Sequence, residues 1–217
     1  MAEIELVIGN KNYSSWSLRA WLTLKMTGAR FDEVLIPLDR PETRASILVH
    51  SPTGLVPILK CGDDMVWDTL AIAEWLAERF PEAGLWPQHP SARAVARSIC
   101  AEMHSGFTAL RGELPMNVRR EEQGRALSAE TKNDVTRISE IWKSCRQQFG
   151  NGGPFLFGTA SVADAFFAPV VSRFRTYNVT LEGTGKDYTQ TIWDWPPFQE
   201  WIAAAREEPF TVGRYED

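Results

Sequence analysis

The sequence predicts two unlike halves: a small α/β unit ordered strand-helix-strand, strand-strand-helix, followed by an all-helical remainder. Three observations carry this. Short apolar runs of period two occur only near the start of the chain, at Ile4–Gly9, Phe31–Leu38 and around Ile58-Leu59. Phe80 to Pro87 (FPEAGLWP) sets Pro81, Gly84 and Pro87 within one short stretch, the strongest break in the chain. Beyond it, apolar residues recur at three- and four-residue steps.

Taken in order, Ile4–Gly9 reads as the first strand. A polar loop, Asn10 to Ser15, leads into a helix over Trp16–Met26, with Ser14 or Ser15 at or just before its first turn and Gly28 ending it. Phe31–Leu38 reads as the second strand, with Pro37 marking an edge or an end. Asp39–Val49 reads as loop plus a short helix. Ser51-Pro52-Thr53-Gly54 is a turn, and Ile58-Leu59 a strand opened by Pro57. Gly62-Asp63-Asp64 turns the chain into Met65-Val66-Trp67, a hairpin. Leu70, Ile72, Ala73, Leu76 and Ala77 then fall at helical spacing, with Asp68 or Thr69 as N-cap. The first strand-helix-strand unit is expected to be parallel. In the second half, helices are expected over Pro90–Arg111, Ser128–Phe149, Ser161–Tyr177 and Phe198–Arg206. Ser161 and Asp164 form a capping-box pattern for the third of these.

Composition narrows the function classes. Of 217 residues, 44% are hydrophobic and 24% charged, as in an ordinary globular chain. A net charge of −5 leaves no basic footprint for nucleic acid. No apolar run is long enough to span a membrane, and the first residues lack the pattern of a secretory signal. Cys61, Cys100 and Cys145 are scattered, with no metal spacing and no CxxC, which fits a reducing cytoplasmic setting. His50, His89 and His104 fall in no metal-ligand spacing, so no metal is expected.

Two places carry chemistry by residue type. The helix start at Asp68-Thr69 offers unpaired N–H groups, a hydroxyl and the positive end of a helix dipole, a ready seat for a carboxylate, although plain capping explains the same residues. On its residues alone, Val56-Pro57 reads as a trans proline opening a strand, with cis as the alternative. The pattern S-P-x-G-x-V-P-x-L followed by W-D-T-x-A-I-x-E-W-L resembles the glutathione-binding half of the cytosolic glutathione transferases. The stretch Gly158–Asp164 resembles the buried segment that starts a core helix in their helical domain, so the likeness spans nearly the whole chain. Ser14-Ser15-Trp16-Ser17-Leu18-Arg19 resembles the S-S-C-S-x-R start of the zeta class, the maleylacetoacetate isomerases, with Trp16 in place of the cysteine.

The resemblance implies a thioredoxin-like α/β domain over residues 1–82, a linker over 83–90 and an all-helical domain over 91–217. It implies that Pro57 is cis, that the Val56 backbone pairs with the cysteinyl part of glutathione, and that Asp68 and Thr69 hold its γ-glutamyl end. Ser14 would stabilise the thiolate, with Ser15 and then Tyr13 as alternatives. The lysine or glutamine that many relatives carry before Val-Pro is Leu55 here, so Arg40, Arg44 or His50 would serve the glycyl carboxylate. Met103, His104, Phe107 and Arg111, with Met116 and Asn117, are candidates to line the second-substrate side, Arg111 for an anionic substrate. The implied activity is conjugation of glutathione, as co-substrate, to a small apolar electrophile. The alternatives are glutathione-dependent cis-trans isomerisation and a non-catalytic binding protein of the same fold. A glutaredoxin-like reductase is disfavoured because no cysteine sits at the first helix start. A homodimer is the family's usual state.

Overall fold

The computed structural model describes residues 3–216, so the outer ends of the two expected domains, Met1, Ala2 and Asp217, lie outside it. Four strands form one sheet: β1 (Ile4–Gly9), β2 (Asp32–Ile36), β3 (Ile58–Cys61) and β4 (Asp64–Trp67), in the order β2-β1-β3-β4. β1 runs parallel to β2 and antiparallel to β3, and β3 antiparallel to β4. The period-two pattern explains how the sheet packs. Leu6, Ile8 and Leu59 turn to the face covered by α1 (Ser15–Met26) and α3 (Thr69–Arg79). Val7, Ile36 and Ile58 turn to the other face and meet Ile47 of the short α2 (Thr43–Leu48).

A 3-10 turn at Pro81–Ala83 ends the α/β part. Six helices follow: α4 (Pro90–Ser105), α5 (Thr108–Glu113), α6 (Ala129–Phe149), α7 (Val162–Thr176), α8 (Thr184–Trp193) and α9 (Pro196–Glu207). α7 is buried along almost its whole length and packs against α1, α4 and α8. The main core does not stop at the break in the sequence. Leu18 and Trp21 of α1 belong to the same buried cluster as Phe166 and Val170 of α7. Trp21 meets Trp201 of α9 edge to face, ring centroids 5.4 Å apart.

Two expectations change. The single helix over Pro90–Arg111 is two helices, broken at Gly106-Phe107. A Cβ on Gly106 would stand 2.7 Å from the Glu102 carbonyl oxygen, and Phe107 takes a left-handed φ of 55°. Phe107 and Leu110 are buried on both sides of the break, so the apolar spacing runs through it unmarked. α8 falls outside the expected helices, because its buried stripe is only Gly185, Tyr188 and Ile192 amid polar residues.

Candidate active site

The site begins where β1 hands over to α1. Ser14 caps α1: its Oγ accepts the Ser17 N–H at 3.2 Å and donates to Ser17 Oγ at 2.8 Å. Ser17 Oγ in turn accepts the Gly9 N–H at 3.0 Å, tying the strand end to the helix start. Ser15 is the first helical residue, and its hydroxyl has no hydrogen-bond partner among the described residues. Tyr13 is engaged elsewhere. Its hydroxyl donates to Glu216 and accepts from Arg119 Nη2 at 3.0 Å, and its ring stacks on Tyr215.

The Val56-Pro57 bond is cis. Val56 precedes the β3 ladder, and its N–H and C=O make no hydrogen bond among the described residues. Leu55 is 69% exposed, its N–H bonded to Thr53 Oγ1 at 3.2 Å. At the start of α3, Asp68 adopts φ 73°, ψ 137°, a region an aspartate enters at a cost of about 1–3 kcal/mol. Its Oδ1 caps the Leu70 N–H at 2.8 Å. Thr69 beside it is buried.

His104, near the end of α4, joins these two helix starts. Its Nε2 lies 3.2 Å from Asp68 Oδ2 and its Nδ1 3.5 Å from Thr69 Oγ1. Its ring meets the Trp16 indole edge to face at 4.9 Å. The imidazole therefore links the start of α3 to the Trp16 side chain in the first turn of α1. Trp16 also lies against two cations, the Arg19 guanidinium 4.7 Å and the Arg111 guanidinium 4.9 Å from its ring centroid.

Three arginines, Arg19, Arg111 and Arg173, outnumber the Asp68 carboxylate here. Arg19 is 1% exposed, and its Nε and Nη1 have no partner among the described residues. Burial, with Arg111 and Arg173 nearby, pulls its pKa down to about 9. Arg173, also buried, drops to about 10 and donates to the carbonyls of Leu114 and Arg111. Arg111 stays half-exposed. Its Nη1 reaches back to the carbonyls of His104 at 3.3 Å and Gly106 at 3.5 Å, closing the break between α4 and α5. Partial burial lowers its pKa as well. Such a surround favours a bound anion or thiolate.

Of the remaining candidates, Arg40 is exposed ahead of α2, and Arg44 folds over Gly54. His50 pairs with Lys60 Nζ at 2.8 Å and stands 3.7 Å from Glu5, so it belongs to a β1–β3 surface cluster. Met103 is 1% exposed and Phe107 is buried, both in the main core. Met116 is buried too, and Asn117 binds the Tyr215 carbonyl at 3.0 Å and Asn12 Nδ2 at 2.9 Å. Sequence reasoning missed the fastening of the loop before α1: Glu208 accepts the N–H groups of Lys11 at 2.7 Å and Asn12 at 3.3 Å. Two asparagines in so short a loop, at positions 10 and 12, were the available signal, and both are buried.

Comparison with known proteins gives the family. The family model for the glutathione S-transferase N-terminal domain matches residues 13–79, and that for the C-terminal domain matches residues 73–204. The chain belongs to the glutathione S-transferase family. The chain is 29% identical over 162 residues to glutathione S-transferase 1 of Dianthus caryophyllus, covering 73% of this chain and 72% of that one. It is 33% identical over 96 residues to the maleylacetoacetate isomerase of Rhizobium meliloti (strain 1021), covering 42% and 45%. A glutathione transferase homologue from Burkholderia gl BGR1, solved with bound glutathione, superposes with a TM-score of 0.71 at 22% identity, over 95% of this chain and all of that one. That last likeness establishes the shared fold.

Proposed function

We propose that this glutathione S-transferase binds glutathione along the cis-proline edge and transfers its thiolate to a small apolar electrophile. The observation that carries the reading is the cis Val56-Pro57 bond with an unpaired Val56 backbone, in a chain that also starts α1 with the hydroxyls of Ser14 and Ser15 and α3 with Asp68 and Thr69, His104 bridging the α3 start to Trp16 of α1. The unpaired Val56 backbone supports a seat for the cysteinyl residue, since an extended peptide would satisfy both its N–H and its C=O. Bound glutathione structures in relatives such as the Burkholderia homologue support the same ligand.

A free thiol has a pKa of about 8.5 and is mostly protonated at neutral pH. A donated hydroxyl, a helix N-terminus and nearby cations all favour its ionised form. Ser14 is the donor of choice. Its Oγ already accepts the Ser17 N–H, which polarises its proton, and that proton needs only to turn from Ser17 Oγ to the sulfur. The sulfur then attacks the electrophile, forming a carbon–sulfur bond as the leaving group departs with its electron pair, or as the π pair of a double bond moves to the neighbouring atom, which takes up a proton from water.

A second reading, cis-trans isomerisation by reversible thiolate addition, is favoured by one observation. Arg111 is held half-exposed by Trp16 and two carbonyls, suited to a substrate carboxylate. A homodimer is part of the proposal, supported by Met65 and Trp67 on the open edge of β4, 42% and 46% exposed. A reducing, cytoplasmic setting is supported by three buried free thiols.

The test is calorimetric binding of glutathione together with a thiol titration by thiolate absorbance, on wild type, Ser14→Ala and Ser15→Ala. Wild type is expected to lower the thiol pKa by about one to two units, and Ser14→Ala to bind while restoring most of that shift, each unit being about 1.4 kcal/mol. A shift lost only in Ser15→Ala moves the role to Ser15. Absence of glutathione binding in wild type overturns the reading.

A further inference from the structure

His104 sits where part of the ligand belongs. Asp68 and Thr69 are the groups proposed above to take the γ-glutamyl end of glutathione, which carries an ammonium and a carboxylate. In this structure both already have a partner in the same side chain. Asp68 Oδ2, the carboxylate oxygen not used to cap α3, lies 3.2 Å from His104 Nε2. Thr69 Oγ1 lies 3.5 Å from His104 Nδ1. One neutral tautomer satisfies both contacts: Nε2–H donates to Asp68, and Nδ1 accepts the Thr69 hydroxyl proton. The imidazole thus supplies the positive edge that the ligand ammonium would bring, and it holds the hydroxyl proton that a ligand carboxylate would take.

We propose that His104 is a built-in competitor for the γ-glutamyl subsite, which glutathione must displace from Asp68 and Thr69 and which holds Asp68 more tightly when protonated. The proposal rests on the glutathione reading. Its chemistry is a difference in strength. A neutral imidazole offers Asp68 an ordinary hydrogen bond. An imidazolium offers a charge-assisted one of roughly twice the strength, against which the ligand ammonium competes less well.

The groups facing His104 set where this happens. From α3 come Asp68 and Thr69; from α1, Trp16 and Arg19; from α5, Arg111. Burial lowers the imidazole pKa from 6.5, Asp68 opposes that, and Arg19 and Arg111 add to the lowering. His104 is therefore neutral and a weak competitor at neutral pH, and becomes a strong one as pH falls through its lowered pKa. A lowered thiol pKa by itself weakens glutathione binding on acidification, so the mark of His104 is the extra slope that wild type shows over variants lacking the imidazole.

The experiment is glutathione affinity by calorimetry from about pH 8 to about pH 5 on wild type, His104→Gln and His104→Ala, with the His104 imidazole signal followed by NMR. The glutamine keeps a hydrogen-bonding group that cannot charge. Wild-type affinity is expected to fall with acid more steeply than in either variant, by up to about tenfold per pH unit below the imidazole pKa. Saturating glutathione is expected to shift the His104 resonances and lower that pKa further. Equal pH slopes in all three proteins, an imidazole signal indifferent to glutathione, or wild-type binding that strengthens on acidification would each overturn the competitor while leaving glutathione binding intact. A wild type that binds no glutathione at any pH overturns both.

Discussion

At the scale of single residues, Asp68 shows a side chain and a backbone pulling in opposite directions. Its carboxylate caps α3, yet its backbone occupies a conformation suited to glycine. Asp68→Gly relieves the strain and costs only a few tenths of a kcal/mol in capping. Thermal unfolding is expected to show stability equal to or above wild type, while calorimetry shows glutathione affinity reduced at least about tenfold, the loss of a charged hydrogen bond. A destabilised variant with intact affinity would mean that the carboxylate serves the helix alone. Residue identity was legible here: Asp68 and Thr69 stand out as a helix start from sequence. The φ of 73° was not, because nothing in the residue type demands it. His104 was placed on the second-substrate side, and its reach across to α3 depends on how α4 docks, which no local pattern encodes.

Helices and their ends were the most readable level. Ser161 and Asp164 do form the capping box at the head of α7. The structure adds that Asp164 is a buried hub. It accepts the N–H groups of Leu156 at 3.2 Å and Ser161 at 2.8 Å, and the hydroxyls of Ser161 at 2.9 Å and Tyr188 at 3.0 Å. Burial still outweighs these bonds and pushes its pKa from 3.8 up to about 6. The folded chain holds this proton more tightly than the unfolded chain. The group's contribution to stability is therefore largest below about pH 3.8, declines as pH rises to about 6, and is level above that. Denaturant unfolding of Asp164→Asn across this window is expected to lack that decline relative to wild type. The variant is expected to be about 1–3 kcal/mol less stable at neutral pH, since the amide nitrogen cannot accept the Ser161 donors. A parallel pH profile would show that Asp164 does not titrate there. Where element reading failed, at the α4–α5 break and at α8, the apolar spacing was uninformative: continuous in one case, too sparse in the other.

For the whole molecule, the sequence marked the change from α/β to helical architecture but not how the halves join. Leu18, Trp21, Phe166 and Trp201 share one core, a packing set by residues far apart in the chain. The outer surface makes a separate prediction. β4 is an edge strand with Met65 and Trp67 exposed, an arrangement that isolated domains tend to avoid. Sedimentation velocity is expected to show a dimer for wild type and a monomer for Trp67→Glu. A monomeric wild type, or a variant that stays dimeric, would remove β4 from the interface.

The loop that carries the chain into Ser14 is fastened by residues near the other terminus: Glu208 to Lys11 and Asn12, and Glu216 to Tyr13, the last pair 203 positions apart. Domains fold from the N-terminal end as they are synthesised, and distant contacts form late. During synthesis the sheet and α1 can assemble early, and Asn117 and Arg119 can hold Asn12 and Tyr13 midway, but the clamp on the approach to the serine is completed only when the end of α9 and the segment after it have left the ribosome. Order of birth and order of function are thereby reversed. The first loop made is the last to be finished, and a nascent or truncated chain would present glutathione with an incomplete seat.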